Sequence, residues 1–249
     1  MNLRICTYNI HKGFSQFNRR MVVHELRDRL RTLDSDLVFL QEVQGLHLRH
    51  PERHPSWPAL PQHEFLAEEN WHQTAYGGNA VYDHGHHGNA ILSRHAILSH
   101  ANHDVSDHRF ERRGLLHAEV EVPGFDTPVH CVCVHLGLMG GSRRRQMETL
   151  AERMEHVAPD GEPLIIAGDF NDWRNHADRL LASRLGLVEA FGSDRGRPAR
   201  SFPSALPFFR LDRIYVRGFR IRRAEVHFGA PWAQISDHAA LTAELEPLA

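Results

Sequence analysis

Residues 163–173, PLIIAGDFNDW, hold an acid and an amide two positions apart, Asp169 and Asn171, after five residues that read as a buried strand. A strand that runs into glycine and then releases polar side chains places them at an edge where they can converge on a ligand. A carboxylate there can take a proton from an attacking water. A carboxamide can donate to a phosphoryl oxygen or help orient that acid. The same stretch also reads as a plain turn, with Asp172 capping the helical segment that follows. Further polar side chains stand at other strand exits. Asn9 follows a β-prone segment over residues 3–8, Glu42 a short buried strand over 37–40, and His135 a strand over 129–134, while Asp237 and His238 precede a closing strand over 239–245. Asp212 sits inside the apolar strand 211–216. Glu42, a carboxylate at the edge of an apolar run, calls for a cation. Together these groups can hold a hard divalent ion through oxygen, position a phosphate and activate water.

The elements between them are read from periodicity. Val22, Val23, Leu26, Leu30 and Leu33 recur at helical spacing, so residues 19–33 are expected to form an amphipathic helix. The proline-rich stretch 47–63 reads as a long surface loop. The tract 83–89 between two expected strands carries His84, His86 and His87; without a Cys or carboxylate framework, these read as solvent- or substrate-facing rather than as a transition-metal site. A second helix is expected from the N-cap Ser142, with Met147, Leu150, Ala151 and Met154 as its apolar stripe. Its first turn carries Arg143, Arg144 and Arg145, at the helix end that favours acids, which points either to an anionic partner or to a solvated basic turn neutralised by Glu148 and Glu152. A short helix over 177–185 and a Gly, Pro, Ser and Arg-rich loop over 192–206 complete the order.

Composition narrows the function class. The 249 residues are 41% hydrophobic and 24% charged, which suits one globular domain spanning 1–249 and argues against disorder. The formal net charge is −2 and the pI about 6.9, so the chain lacks the overall basic footprint of a protein that grips duplex DNA through phosphates. Cys6, Cys131 and Cys133 are odd in number and lack a second pair to complete a zinc site, which suits reduced core residues. No signal peptide and no eighteen-residue apolar run is present, so a soluble, cytoplasmic protein without an integral membrane segment is expected.

The ordered set YNIHKG, FLQEVQ, GNAILSR, VHLG, AGDFND, LDRIYV and SDHAAL resembles the endonuclease/exonuclease/phosphatase superfamily of metal-dependent phosphoesterases, from residue 4 to residue 241. The resemblance implies an α/β fold, deoxyribonuclease I-like: a four-layer α/β/β/α sandwich of two mixed, largely antiparallel sheets, with the site at one end of the sheets. By position it implies that Glu42 is the main Mg²⁺ (or Mn²⁺) ligand, with Asn9 and Asp237 near metal and phosphate, and that Asp169 is the general base, with Asn171 orienting nucleophile or phosphate. It also implies that His238 and Asp212 form a His/Asp dyad and that His135 is a second phosphate contact. His11 departs from the pattern, standing where some relatives place an Asp of the metal environment. The substrate expected is a phosphoester, more readily a diester, of a small molecule or lipid headgroup. A nucleic acid held by Arg143, Arg144, Arg145 and by Arg109, Arg112 and Arg113 is the alternative, and a non-catalytic phosphate-binding scaffold the third. Protein partners are not specified by the sequence.

Overall fold

The computed structural model describes residues 2–108, 110–192 and 196–248, so Arg109 lies outside the described residues. The strands are β1 (Leu3–Asn9), β2 (Leu37–His47), β3 (Gln73–Tyr82), β4 (Gly85–Ser93), β5 (Ile97–Asp104), β6 (Gly114–Val120), β7 (Val129–His135), β8 (Leu164–Asp169), β9 (Val188–Glu189), β10 (Asp212–Arg217), β11 (Phe219–His227) and β12 (Ala240–Pro247). The α-helices are α1 (Val23–Thr32), α2 (His50–Arg53), α3 (Gln62–Ala67), α4 (Gly140–Val157) and α5 (His176–Leu185). The strands form two six-stranded sheets, in the orders β11-β12-β1-β2-β4-β3 and β5-β6-β7-β8-β10-β9.

Each sheet carries one parallel pair at its centre, β1 with β2 and β7 with β8, and is antiparallel elsewhere. A parallel pair needs a crossover, which α1 and α4 provide. Between the sheets, Ile5, Leu37, Phe39 and Ile91 meet Leu116, Cys131, Cys133, Ile165 and Ile214. Outside the first sheet, Val23, Leu26 and Leu30 of α1 cover Cys6, Tyr8, Val38 and Leu40. Outside the second, Met147, Leu150 and Met154 of α4 and Leu181 and Leu185 of α5 cover Val132, Val134, Leu164 and Ile166. The central strands are therefore apolar on both faces, which is why they read as continuous runs rather than alternations. The result is the four-layer α/β/β/α sandwich. Its three cysteines are free and buried, and no described helix is long and apolar enough to cross a membrane.

Several local expectations are corrected. The strand expected to end before Glu42 continues to His47. Its register with β4 breaks between Leu40 and Val43, and Glu42 takes a left-handed φ of 56°, so this acid leaves the ladder at a bulge rather than at a strand end. His86 and His87 lie within β4, paired with Val81 and Ala80, instead of in a loop. The first helix starts later than residue 19 because residues 16–18 form a separate turn and Phe14 bridges to Met21. Ser142 is not an N-cap: α4 begins at Gly140 behind Met139, and Ser142 is buried one turn in. The expected loop 47–63 contains α2 and the start of α3.

Candidate active site

Strand register brings three of the singled-out side chains into one row. In the second sheet His135 of β7 lies opposite Asp169 of β8, which lies opposite Asp212 of β10. Gly168 is needed for this approach, because its φ is 148° and a Cβ there would stand 2.0 Å from the carbonyl oxygen of Val134. The first sheet supplies the facing wall. Asn9 ends β1, Glu42 protrudes from the bulge of β2, and His238 follows Ser236, whose hydroxyl donates to the Asn9 carbonyl at 2.7 Å.

Asp169 is buried, with donors on both oxygens and the Asp212 carboxylate beside it. Its Oδ1 accepts the backbone N–H of Asn171 at 2.9 Å, and its Oδ2 accepts Asn9 Nδ2 at 3.2 Å, with His135 Nε2 at 3.6 Å and His238 Nε2 at 3.8 Å. Burial pushes its pKa up to about 6, and Asp212 adds to the rise against the pull of His238 and of the two amide donors. His238 Nδ1 contacts Asp212 Oδ2 at 2.8 Å. Burial alone would disfavour the imidazolium, but the charge and hydrogen bond of Asp212, joined by Asp169 and Asp237, raise His238 to about 10. His135 moves the other way: burial, reinforced by Arg113, holds it well below the ordinary histidine range against the attraction of Glu42. At neutral pH the pocket thus contains an ionised Asp169, a cationic His238 and a neutral His135.

Glu42 is the second anionic centre. Burial opposes its ionisation, yet the charge that His135 takes on in acid, with Lys12, His11 and His238, brings it down to about 2. Lys12 Nζ stands 3.4 Å from its Oε2, and Asn9 Nδ2 lies 3.5 Å from its Oε1. Asn9 therefore donates toward both carboxylates and holds them apart, while its own oxygen accepts the His11 N–H at 3.2 Å. Four non-glycine residues here have left-handed φ values: His11 at 45°, Lys12 at 57°, Glu42 at 56° and Asn171 at 47°. Such conformations cost about 1–3 kcal/mol each and concentrate where function requires a fixed geometry.

Asn171 lies beside Asp169, but it is its backbone N–H that orients the acid; its side-chain Nδ2 donates to the Leu136 carbonyl at 2.9 Å. Asp237 lies 3.5 Å from His11 Nδ1. Asp172 Oδ2 accepts the Ala177 N–H at 2.8 Å and so supports the start of α5. The three arginines do not join the pocket as a cluster. Arg143 is buried and donates to the carbonyls of Gly137 and Leu138 at 3.1 and 2.9 Å, Arg145 forks onto Asp107, and Arg144 is exposed with Glu148 at 3.9 Å. Arg113 pairs with Glu111 at 3.0 Å. Periodicity and strand ends give no role to Lys12 or Ser236; for Ser236 the signal is its place in SDH.

Among the described residues, Asp169, Asp212 and His238 offer atoms close enough to surround a metal ion. The cationic state of His238 and its bond to Asp212 favour a proton-bearing dyad there. Glu42, ionised and one-fifth exposed, is the better cation acceptor, and it already faces the Lys12 ammonium.

The sequence profile of the Endonuclease/Exonuclease/phosphatase family matches residues 6–238, a span reaching from just before Asn9 to His238. The chain belongs to this family. Endonuclease/exonuclease/phosphatase proteins are phosphoesterases and nucleases, generally hydrolytic and generally dependent on divalent metals. The chain is 47% identical to the uncharacterized protein YbhP of Escherichia coli K12 over 244 residues, 98% of this chain and 96% of the relative. Its fold is similar to a family member from Beutenbergia cavernae, with TM-score 0.77 and 20% identity over 99% of this chain and 72% of that one. It is also similar to a mannosyl-6-phosphatase of Bacteroides thetaiotaomicron, with TM-score 0.72 and 17% identity over 98% and 99% of the two chains.

Two expected outcomes arise from this family member's side chains. The raised pKa of His238 means that folding favours its protonated form. That stabilisation is fully present below the unfolded value of 6.5 and is lost as pH rises through about 10. The denaturation temperature of the wild type is therefore expected to fall more steeply across this window than that of His238→Gln; parallel curves would show that folding gives this proton no advantage. Arg143→Ala strands two carbonyls and is expected to cost about 1–3 kcal/mol in urea unfolding, whereas Arg144→Ala is expected to cost less than about 0.5 kcal/mol.

Proposed function

We propose that the chain is a divalent-metal-dependent phosphodiesterase in which Asp169 is the general base. The observation that carries this reading is the convergence of Asp169, His238 and Asp212 in one buried pocket, with His238 Nδ1 2.8 Å from Asp212 and its Nε2 3.8 Å from Asp169, a geometry in which burial raises the Asp169 carboxyl while Asp212 favours the imidazolium. In the proposed reaction Asp169 takes a proton from water attacking phosphorus in line, and the bond from phosphorus to the ester oxygen on the opposite side breaks, so that oxygen leaves as the alcohol after taking a proton from solvent. His238 donates from Nε2 to the phosphoryl oxygen on which negative charge develops, and His135 supplies a neutral contact. The backbone N–H of Asn171 and the amide of Asn9 keep Asp169 aimed. Glu42, with Asn9 and Asp237 nearby, would hold a Mg²⁺ or Mn²⁺ ion that neutralises charge on the phosphoryl and leaving oxygens.

A diester suits the pocket better than a monoester. Among the described residues, Arg143, Arg145 and Arg113 are engaged with carbonyls or carboxylates, which leaves less cationic charge beside the pocket to match a dianion. A small molecule or lipid headgroup is the substrate class proposed, for one catalytic domain in the reducing cytoplasm, where its free cysteines are at home. A nuclease is the second reading. A groove of about 1010 Å³ between α4 and α5 is lined by Arg144, Arg174 and Arg179 and by the exposed Trp173, and a basic groove with an aromatic platform suits a single strand. Hydrolysis assays on a generic phosphodiester, a monoester, phospholipids, RNA and single- and double-stranded DNA, each with Mg²⁺ or Mn²⁺, separate the readings. Faster turnover of diesters than of monoesters supports the proposal, preference for strands supports the nuclease, and no turnover on any substrate refutes both.

A further inference from the structure

Exposed apolar side chains collect at the end of the second sheet that carries its polar row. Register defines this end: Leu115 of β6 lies opposite Val134 of β7, His135 opposite Asp169 of β8, and Asp169 opposite Asp212 of β10. The connections there are the turn before β6, the β7–α4 and β8–α5 loops and the segment entering β10. Each presents a large apolar residue to solvent: Phe110, Leu138 with Met139, Trp173 and Phe208 are between 44% and 84% exposed. At the far end of the sheet, Val122 is buried and Phe125 packs on Phe219 at 4.9 Å. Single exposed apolar residues are ordinary, whereas several gathered around one site mark an interaction surface.

The loops form one rim. Glu111 Oε1 accepts the Leu138 N–H at 2.9 Å, which ties the turn bearing Phe110 to the β7–α4 loop. Trp173 meets Phe209 edge-on at 4.9 Å, and Phe209 meets Phe208 at 5.1 Å. Phe202, bridged to Phe209, stands 5.0 Å from the His238 ring, so an aromatic run leads from the rim to that imidazole. Cations flank the run. Arg144, Arg174 and Arg179 line the groove between α4 and α5 beside Trp173. Arg174 and Arg179 are exposed and form no ion pair among the described residues, and the Arg200 guanidinium lies over Phe208 at 5.9 Å. Loop tips that mix aliphatic and aromatic side chains with arginines match a bilayer interface, where apolar groups reach the acyl boundary and cations reach anionic phosphates. A nucleic acid strand would stack on Trp173 and Phe208 but leave Leu138 and Met139 without a partner, and a chain of net charge −2 lacks the charge that drives strand binding.

We propose that this end of the second sheet docks on an anionic phospholipid bilayer: Phe110, Leu138, Met139, Trp173 and Phe208 enter the interfacial layer, and Arg144, Arg174 and Arg179 meet lipid phosphates. A headgroup diester is thereby brought to the Asp169 and His238 pocket. The inference rests on the phosphoesterase reading only for what the pocket does to a docked lipid, and vesicle binding is read without turnover. The test is co-sedimentation of the full chain with phosphatidylcholine vesicles, with and without phosphatidylglycerol, beside binding of a single-stranded oligonucleotide and sedimentation velocity of the protein alone. The wild type is expected to bind the phosphatidylglycerol vesicles, less tightly as salt rises. Leu138→Ser with Met139→Ser is expected to lower that partition at least about tenfold. Arg174→Gln with Arg179→Gln is expected to lower it about tenfold or more on anionic vesicles and little on neutral ones. Wild-type partition that is undetectable, or that neither variant lowers, overturns the proposal. So does an oligonucleotide bound at a salt concentration where the vesicles are not, which would assign the groove to a strand. A wild-type dimer that Leu138→Ser with Met139→Ser dissolves also overturns it, since the face would then belong to a second copy. Vesicle binding by a protein that hydrolyses no phosphoester refutes the catalytic reading alone, and diester turnover without vesicle binding refutes the docking alone.

Discussion

Asp169→Asn is expected to lower kcat on a phosphodiester by about 10²–10⁴-fold, the usual worth of a positioned general base. The amide conserves volume and still offers an oxygen to the Asn171 N–H, but it cannot take a proton from water. KM should change little, because the acid is fully buried beneath the pocket and acts on the attacking water. Steady-state kinetics with circular dichroism as a control for folding reads both quantities. A variant that retains more than a tenth of the wild-type kcat would remove Asp169 from the chemistry.

Asp212→Asn is expected to cost about 10²–10³-fold in kcat at neutral pH, comparable to the loss of one donor to a developing oxyanion. Asp212 is the leading cause of the upward shift of His238, through both its charge and its 2.8 Å contact. Without that charge, burial works against the imidazolium and the ring loses its proton at lower pH. The variant should keep residual activity on the acid side and lose it as pH rises toward neutrality, whereas the wild type should hold the cation to about pH 10. Rate profiles of the two proteins against pH provide the comparison. Coincident alkaline limbs would mean that Asp212 does not set the charge of His238.

Much of this arrangement is legible in the sequence because apolar runs determine where strands end, and strand ends determine which polar side chains converge. Asn9, His135 and Asp169 are the last residues of β1, β7 and β8, and Asp212 is the first of β10. The layer order is legible for the same reason. What is hidden depends on tertiary contacts. Glu42 reads as a strand terminus, but the strand continues and a bulge turns the acid outward. The left-handed turn at His11 and Lys12 has no local signature at either residue; Gln62, fifty positions away, holds it. Arg143 to Arg145 look like an anion site because a helix start carrying three cations needs partners. The partners are backbone carbonyls for Arg143 and Asp107 for Arg145. The strand β11 escapes notice because FRIRRAEVH is rich in charge, which suits an edge strand paired only with β12.

Metal-assisted phosphodiester hydrolysis at the Glu42, Asp169 and His238 pocket is tested by the initial rate on a generic phosphodiester with Mg²⁺ or Mn²⁺, after chelation, and after the cation is restored. Turnover by the wild type is expected with the cation, is expected to disappear on chelation and to return on re-addition, and in Glu42→Gln should require a higher cation concentration. Turnover that survives chelation, or that Glu42→Gln shows with the wild-type cation dependence, would rule out a catalytic cation held by Glu42.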